Sequence, residues 1–322
     1  TQAYRRGNQG LILLPSIWQM QKRLQCLTAA AVLLSFFPVP ASAEKPERFD
    51  GTISSTRSMA LGGAFSALAD DITALTVNPA GLINTGGAAL YADYMERGGE
   101  SGPWEGKLFG GFERWGIIFA AAGSNRSYED GIAEGQLSAG FAINVMSGSV
   151  GSFISIGGAL RAGRVAFDLE EGCIPCGVEA GRYSYNALTG DLGLMIRPLP
   201  FISFSISTEN ISETGFGSGD YYIPWERTVR YGAAWLHEDR FTVSWESRHT
   251  GELVTNHFGF GLRTALPLEI MAGISDERIY GGTRWDGNRW RASVVFGQEA
   301  ENAIITGASI EIFFNRPARI YQ

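Results

Sequence analysis

The chain has 322 residues, with 33 acidic and 26 basic side chains and a formal net charge of −7. This acidic balance excludes the broad basic surface that binds phosphate backbones, so we expect no nucleic-acid partner. Only three histidines and three cysteines are present, and we expect no metal site and no cofactor.

The N-terminal region divides into an upstream extension and a secretion signal. Residues 1–19 precede Met20, which we predict to be the start of translation. Residues 20–43 combine a basic start, a short apolar run and small residues at the end, which is typical of a cleaved signal peptide. A membrane anchor would need about 20 apolar residues. We therefore predict cleavage between Ala43 and Glu44.

The exported chain would be strongly acidic. Four basic residues and no acidic ones precede Glu44, which leaves 22 basic and 33 acidic side chains after it. No later apolar run approaches the length of a membrane helix. An exported protein of this kind is soluble in the periplasm, released, or built as a membrane β-barrel.

Residues 57–82 are the most distinctive segment. Their motifs follow in the order Met59, Leu61-Gly62-Gly63-Ala64-Phe65, Ala69-Asp70-Asp71 and Asn78-Pro79-Ala80-Gly81-Leu82. The segment resembles the N-terminal part of outer-membrane barrels of the long-chain fatty acid transporter (FadL) superfamily, and most closely its PorV/PorQ branch. The resemblance implies a hatch that plugs the barrel lumen and shifts to let a ligand pass.

Local signals predict short helices and turns in this segment. Residues 64–69 are good helix formers. The Asp70-Asp71 pair can cap a following turn or helix. In the Asn78-Pro79 pair, asparagine is suited to the cap and proline to the first position of another helix. The Gly62-Gly63 pair permits an unusual turn or a close backbone contact.

We predict a hatch over residues 44–86, because short helices that precede the first strand belong inside a wide barrel rather than in lipid. A static plug is the alternative to a gating element. The candidate hatch and ligand-binding residues are Gly62, Gly63, Phe65, Asp70, Asp71, Asn78, Pro79, Ala80 and Gly81.

Residues 87–314 alternate apolar with polar or small residues in segments of about ten, which is typical of a transmembrane barrel. Residues 315–322 follow as a tail. We predict an all-β fold, a transmembrane antiparallel barrel of about fourteen strands. The strands are predicted to begin near Gly87, Glu105, Trp115, Glu134, Gly151, Tyr183, Phe201, Arg227, Phe241, Thr255, Leu268, Glu277, Arg289 and Ala303.

The predicted connections are unequal. Those after even-numbered strands are short, whereas long ones are predicted at 96–104, 123–133, 165–182 and 211–226. Outer-membrane barrels have short periplasmic turns, so both termini are expected in the periplasm. The seven tryptophans after the signal are predicted to form an aromatic girdle, with core packing as the alternative: Trp104, Trp115, Trp225, Trp235, Trp245, Trp285 and Trp290.

Cys173 and Cys176 form a Cys-x-x-Cys pair within the predicted 165–182 loop. Such a pair can be a redox motif, half of a zinc site or a local disulfide. A thioredoxin-like context is absent, and a zinc site would need two further ligands. We predict a disulfide, since the compartment is oxidising.

Catalytic motifs are absent from the sequence. There is no Gly-x-Ser-x-Gly elbow and no phosphate-binding Gly-Lys-Ser/Thr loop, so we predict that the protein is not an enzyme. The resemblance implies passive transport of hydrophobic small molecules across the bacterial outer membrane, with membrane lipid around the barrel. A PorV-like component of type IX protein secretion, which would bind secretion-machinery proteins, and a surface structural barrel are the alternatives.

Overall fold

The computed structural model describes residues 55–85, 87–98, 103–128, 132–148, 151–169, 181–218, 222–237, 240–276, 278–298 and 304–314. The predicted extension and signal peptide, with the Ala43–Glu44 cleavage site, lie outside these residues. So do Cys173, Cys176 and the C-terminal tail.

Fourteen antiparallel strands form a closed barrel within the described residues. They are β1 Ala89–Arg97, β2 Trp104–Arg114, β3 Ile117–Ser127, β4 Ala133–Ser147, β5 Phe153–Leu169, β6 Gly181–Leu199, β7 Ile202–Glu209, β8 Thr228–His237, β9 Phe241–Thr250, β10 Leu253–Arg263, β11 Leu268–Ser275, β12 Arg278–Asp286, β13 Trp290–Gln298 and β14 Ile304–Phe313. Each begins within two residues of its predicted start, and the predicted fold class is confirmed.

Closure comes from pairing of the first strand with the last. The β1–β14 register runs from Ala89 opposite Phe313 to Arg97 opposite Ile305. Every other strand pairs with its neighbours in sequence. Closure leaves no long edge to pair with another chain, because each strand has two partners.

The barrel is apolar outside and polar inside. On β14, Ile310 and Ile312 are exposed, whereas Glu311 between them is buried. The same alternation recurs on β13, where Val294 and Phe296 are exposed and Val295 is buried. A soluble sandwich would expose its polar face instead. The apolar exterior is that of a barrel surrounded by lipid.

The strands β4, β5 and β6 are longer than predicted, with 15, 17 and 19 residues. The predicted loops at 123–133 and 165–182 are therefore partly wrong, because β3 continues to Ser127 and β5 to Leu169. Backbone pairing does not need lipid, so the ladder continues beyond the apolar belt. Arg164 marks this extension, where its Nε donates to Ser184 Oγ at 3.0 Å on the exposed face.

The two ends of the barrel differ. We call the end with the connections after even-numbered strands the turn end, and the other the loop end. The predicted short turns are confirmed, as in the β2–β3 turn at Trp115-Gly116, where both residues have positive φ, as a type I′ hairpin turn requires.

Exposed tryptophans near the turn end fit the predicted girdle: Trp115, Trp235, Trp285 and Trp290. Trp225 does not belong to it. This side chain is 3% exposed and stacks on Phe216 with ring centroids 5.6 Å apart. It lies in the long β7–β8 connection, which folds over the lumen, so the core-packing alternative holds at this position.

The N-terminal segment contains α1 (Thr56–Ala60), α2 (Ala74–Val77) and a 3₁₀ helix (Pro79–Asn84). Among the described residues, no helix has the length and hydropathy needed to cross a bilayer. The helix predicted over residues 64–69 is wrong, because this stretch forms a turn in which Ala69 has a φ of 32°. The backbone N–H groups of Phe65 and Ser66 and the carbonyl of Ala67 bond to the barrel wall, and these tertiary contacts override helix propensity.

Candidate functional site: the plugged lumen

Residues 55–85 lie inside the barrel and are almost entirely buried; we call them the plug. Their helices contact strands on both sides of the lumen. The helix α1 packs on β11–β14 and β1, whereas the 3₁₀ helix packs on β3–β6. The plug therefore spans the lumen and packs closely against the strands on both sides of it.

Inward-facing glycines of the wall allow this close contact. A Cβ on Gly157 would lie 2.4 Å from Pro79 C, and one on Gly193 would lie 2.1 Å from Asn78 Oδ1. Such distances are shorter than side chains tolerate, so only glycine lets the plug backbone approach this far. These contacts show that the inner surface of the barrel is complementary in shape to the plug.

Gly62 and Gly63 form the predicted unusual turn, with φ of 64° and 89°. Both values are in the left-handed region that favours glycine. A Cβ on Gly62 would meet the backbone of β11, at 2.6 Å from Ile274 N. The Gly62 carbonyl accepts a hydrogen bond from His257 Nδ1 at 2.7 Å. The turn is therefore fixed both by its contact with β11 and by a bond to β10.

Phe65 lies directly after this turn and is completely buried. The side chain of Glu246 accepts hydrogen bonds from Phe65 N at 3.3 Å and from Ser66 N at 2.9 Å. This carboxylate is held in turn by Arg230 at 3.0 Å and Arg248 at 3.2 Å. A charged wall residue thus accepts from two backbone N–H groups at the start of this stretch.

Asp70 and Asp71 have different roles. Asp70 forms an ion pair with Arg57, which also lies 3.6 Å from Glu269 of β11. Burial, together with repulsion from nearby Arg284, lowers the pKa of Arg57 to about 10, so the guanidinium remains charged at neutral pH. Asp71 accepts a hydrogen bond from Thr73 N at 3.0 Å and caps the turn before α2, as predicted.

The residues from Asn78 to Gly81 make the predicted capped turn. Asn78 Oδ1 accepts from Ala80 N at 3.2 Å, and Pro79 occupies the first position of the 3₁₀ helix. Asn78 Nδ2 donates to Ser66 O at 2.9 Å, which joins the two halves of the plug. Ser155 Oγ of the wall donates to Ala80 O at 3.0 Å. A Cβ on Gly81 would lie 2.2 Å from Ala69 Cβ.

Sequence reasoning missed a chain of buried charges on the wall that meets the plug. Arg161 lies 2.7 Å from Asp191 and 3.5 Å from Glu209, and Arg230 lies 2.6 Å from Glu209. Arg230 continues the chain to Glu246, which binds the plug. Arg161 Nη2 also donates to the plug carbonyl of Thr76 at 3.2 Å. Charged residues at alternating, inward positions of the strands were the available clue.

An apolar cluster lies at the loop end, between β5 and the β7–β8 connection. We call it the capping cluster; its buried members are Ile132, Val165, Phe167, Phe216, Ile223 and Trp225. Phe216 and Ile223 pair across the β7–β8 connection through two backbone hydrogen bonds of 2.9 and 2.8 Å. Asn210 Nδ2 donates to the carbonyls of Thr214 and Trp225, which fixes the base of this connection.

The lumen thus contains the plug, and at the loop end both the capping cluster and buried charged residues such as Glu105, Arg126 and Glu134. Within the described ranges, no group of three or more His, Cys, Asp or Glu side chains is placed to hold a metal ion.

No family model and no curated protein matches this chain. Solved structures match its fold. The CymD monoaromatic hydrocarbon channel aligns with a TM-score of 0.65 at 13% identity, covering 83% of this chain and 99% of CymD. The Ralstonia pickettii toluene transporter TbuX gives 0.61 at 12% identity, covering 83% and 100%. A Pseudomonas aeruginosa FadL homologue gives 0.56 at 9%, covering 81% and 98%. At these identities the similarity shows the fold alone.

Proposed function

We propose that the protein is an outer-membrane channel of the FadL type for passive passage of hydrophobic small molecules. The observation that carries this proposal is the combination of a lipid-facing barrel, a seated plug and an apolar capping cluster at one end of the lumen. The fold is shared with hydrocarbon channels and transporters, which supports the same assignment. We take the turn end and both termini to be periplasmic.

In this proposal, the capping cluster is the entry site. An apolar molecule would replace part of the contact between Phe216 and Trp225, since both side chains are buried and apolar. Burial of apolar surface is favourable at about 25 cal/mol per Å². Further passage requires the plug to shift, because its backbone touches the wall at Gly157 and Gly193. The proposed hatch is the segment 44–86, which contains the candidate residues from Gly62 to Gly81.

Uptake by proteoliposomes tests the entry site. Replacing Phe216 and Trp225 with alanine removes the stacked pair, and we expect uptake of toluene to fall by about fivefold or more, since two aromatic contacts each contribute about 0.5–1.5 kcal/mol. The matched control is Phe204→Ala together with Trp235→Ala on the lipid-facing exterior. Equal loss in both double variants would show that general damage, rather than the cluster, limits passage.

Export is tested separately. We propose that residues 20–43 are removed, so N-terminal sequencing of the membrane-extracted protein should begin at Glu44. An intact leader on the mature barrel would contradict the signal-peptide proposal. The PorV/PorQ branch, a secretion role and a structural role gain no specific support from the matched structures, which are channels and transporters of hydrophobic molecules or their homologue.

A further inference from the structure

The stacked rings of Phe216 and Trp225 lie against an inward-facing glycine of β5. A Cβ on Gly163 would lie 2.8 Å from Phe216 Cζ and 2.9 Å from Trp225 Cζ3, so the two rings fill the space that a side chain at this position would need. Directly opposite Gly163 in the β4–β5 ladder is Gln136. Opposite positions of an antiparallel pair are about 4.5–5.5 Å apart at Cβ, so the Gln136 side chain begins beside the aromatic pair.

The Gln136 side chain is buried without a hydrogen bond to its carbonyl oxygen. Gln136 is 7% exposed and Leu137 after it is 45% exposed, which places Gln136 on the lumen side of β4. Its Oε1 atom has no hydrogen-bond partner among the described residues, and neither has Ser138 Oγ at the next inward position. Burial of polar atoms without partners costs free energy, and a ligand that donates a hydrogen bond recovers part of that cost.

The charged side chains nearest to this site are paired with one another. Glu134, at the inward position before Gln136, lies 3.4 Å from Arg126. Arg126 also lies 3.4 Å from Glu105, which lies 3.1 Å from Lys107. The two basic groups of this set are matched by two carboxylates, so they leave no excess positive charge for an anionic ligand. A neutral hydrogen-bond donor needs no such charge.

The apolar side of the site is built from flat rings. Phe216 and Trp225 stack with an interplanar angle of 13°. Phe167, another buried member of the capping cluster, stacks on Tyr183 at 20° with ring centroids 5.7 Å apart. Stacking of aromatic rings adds to the free energy of apolar burial, so these parallel faces favour a planar aromatic ligand over a bulky aliphatic one.

We propose that the capping cluster binds neutral aromatic molecules that carry a hydroxyl group, and that Gln136 is the residue that recognises this hydroxyl. The ring replaces part of the contact between Phe216 and Trp225, and the hydroxyl donates a hydrogen bond to Gln136 Oε1. This inference rests on the proposed capture of apolar molecules by the capping cluster. It adds a polar determinant of specificity, because a hydrocarbon of the same shape leaves the Gln136 carbonyl oxygen unpaired.

Equilibrium dialysis of labelled ligands against the purified barrel in a non-ionic detergent measures binding separately from passage. Micelles without the barrel give the partition into detergent, which is subtracted. The probe is p-cresol, and the comparison ligands are toluene and 4-methylanisole, which keep the methyl-substituted ring but have no hydroxyl donor. Gln136→Leu should weaken p-cresol binding by about fivefold or more, as expected for one neutral hydrogen bond, and should weaken binding of the other two by less than twofold.

Two further variants separate hydrogen bonding from packing. Gln136→Glu keeps acceptor oxygens at this position and removes the two amide donors, so p-cresol binding should stay within about threefold of that of the unaltered protein. Asn186→Leu is the matched control, since it makes a similar polar-to-apolar change on the exposed outer face of β6. It should change binding of each ligand by less than twofold. A heat-dependent gel shift confirms that each variant is a closed barrel.

Three outcomes would overturn the proposal. They are unchanged p-cresol binding in Gln136→Leu, an equal loss of p-cresol and 4-methylanisole binding in that variant, and an equal loss of p-cresol binding in the leucine and glutamate variants. In each of these cases, saturable toluene binding that is lost in Phe216→Ala/Trp225→Ala would leave the proposed capture of apolar molecules intact. Absence of saturable binding of all three ligands would refute that capture itself, and the role of Gln136 with it.

Discussion

Replacing Gly157 with alanine adds one atom, the Cβ, to the part of the barrel wall that contacts the plug. The added Cβ would lie 2.4 Å from Pro79 C, 2.5 Å from Ala80 N and 2.6 Å from Pro79 O. These are backbone atoms that cannot rotate away. Ordinary van der Waals contact begins near 3.4 Å, so the Pro79–Ala80 turn has to move by about 1 Å.

The free-energy cost of this movement follows from the packing and the hydrogen bond that it disrupts. Overpacking by one methyl group costs about 1–3 kcal/mol. The 3.0 Å bond from Ser155 Oγ to Ala80 O would lengthen beyond bonding distance, which costs about 1 kcal/mol more. We therefore expect the seated plug to lose about 2–4 kcal/mol relative to a displaced plug. Strand pairing at β5 remains, since alanine forms the same ladder.

Hydrogen exchange measured by mass spectrometry reports this change directly. Amide protection in residues 73–85 of Gly157→Ala should fall by about 30-fold or more, because 1.4 kcal/mol corresponds to a factor of ten. The matched control is Gly158→Ala. It lies on the same strand but faces lipid, where an added Cβ meets only contacts of 3.6–3.7 Å. Equal amide protection in the two variants would refute the inference that the plug needs a glycine at position 157 for its close contact with the wall.

Three further changes test other parts of the site. Asn78→Ala should reduce protection of the plug without opening the barrel, because it removes both a cap worth about 0.5–2 kcal/mol and the bond to Ser66. Glu246→Gln should lower the free energy of unfolding in chemical denaturation by about 3–5 kcal/mol, because it leaves buried arginines with too little negative charge beside them. The control Glu213→Gln removes an exposed ion pair and should change the free energy of unfolding by less than about 1 kcal/mol. Replacing Cys173 and Cys176 with serine should leave barrel assembly intact in a gel-shift assay, and stoichiometric zinc in the native protein would contradict the predicted disulfide.

The barrel could be predicted from the sequence because its determinants are local. Each strand carries its own alternation of apolar and polar residues, as in Ile310 and Ile312 around Glu311, so strand positions need no knowledge of their partners. Loop lengths were less predictable. Alternation identifies the part of a strand that lies in lipid, but β5 and β6 continue beyond it. There the pattern is inverted, because Val165 and Phe167 are buried in the capping cluster whereas Arg164 and Ser184 are exposed.

The plug was predicted in its motifs but not in its contacts. The cap at Asn78 and the turn at Gly62 follow from residue chemistry over a few positions, and both were predictable. The turn at Phe65 was not, because its hydrogen-bond acceptor, Glu246, is 181 residues away in the sequence. Only the register of the closed barrel brings that carboxylate to the plug.

The same distinction explains why the motif residues do not by themselves define a ligand site. Gly62, Phe65, Asn78 and Gly81 are engaged with each other or with the wall, and each contact is accounted for by packing or hydrogen bonding. The spacing of these residues therefore determines how the plug packs against the barrel wall. In the proposed channel, selectivity would have to come from surfaces that remain apolar, such as the capping cluster.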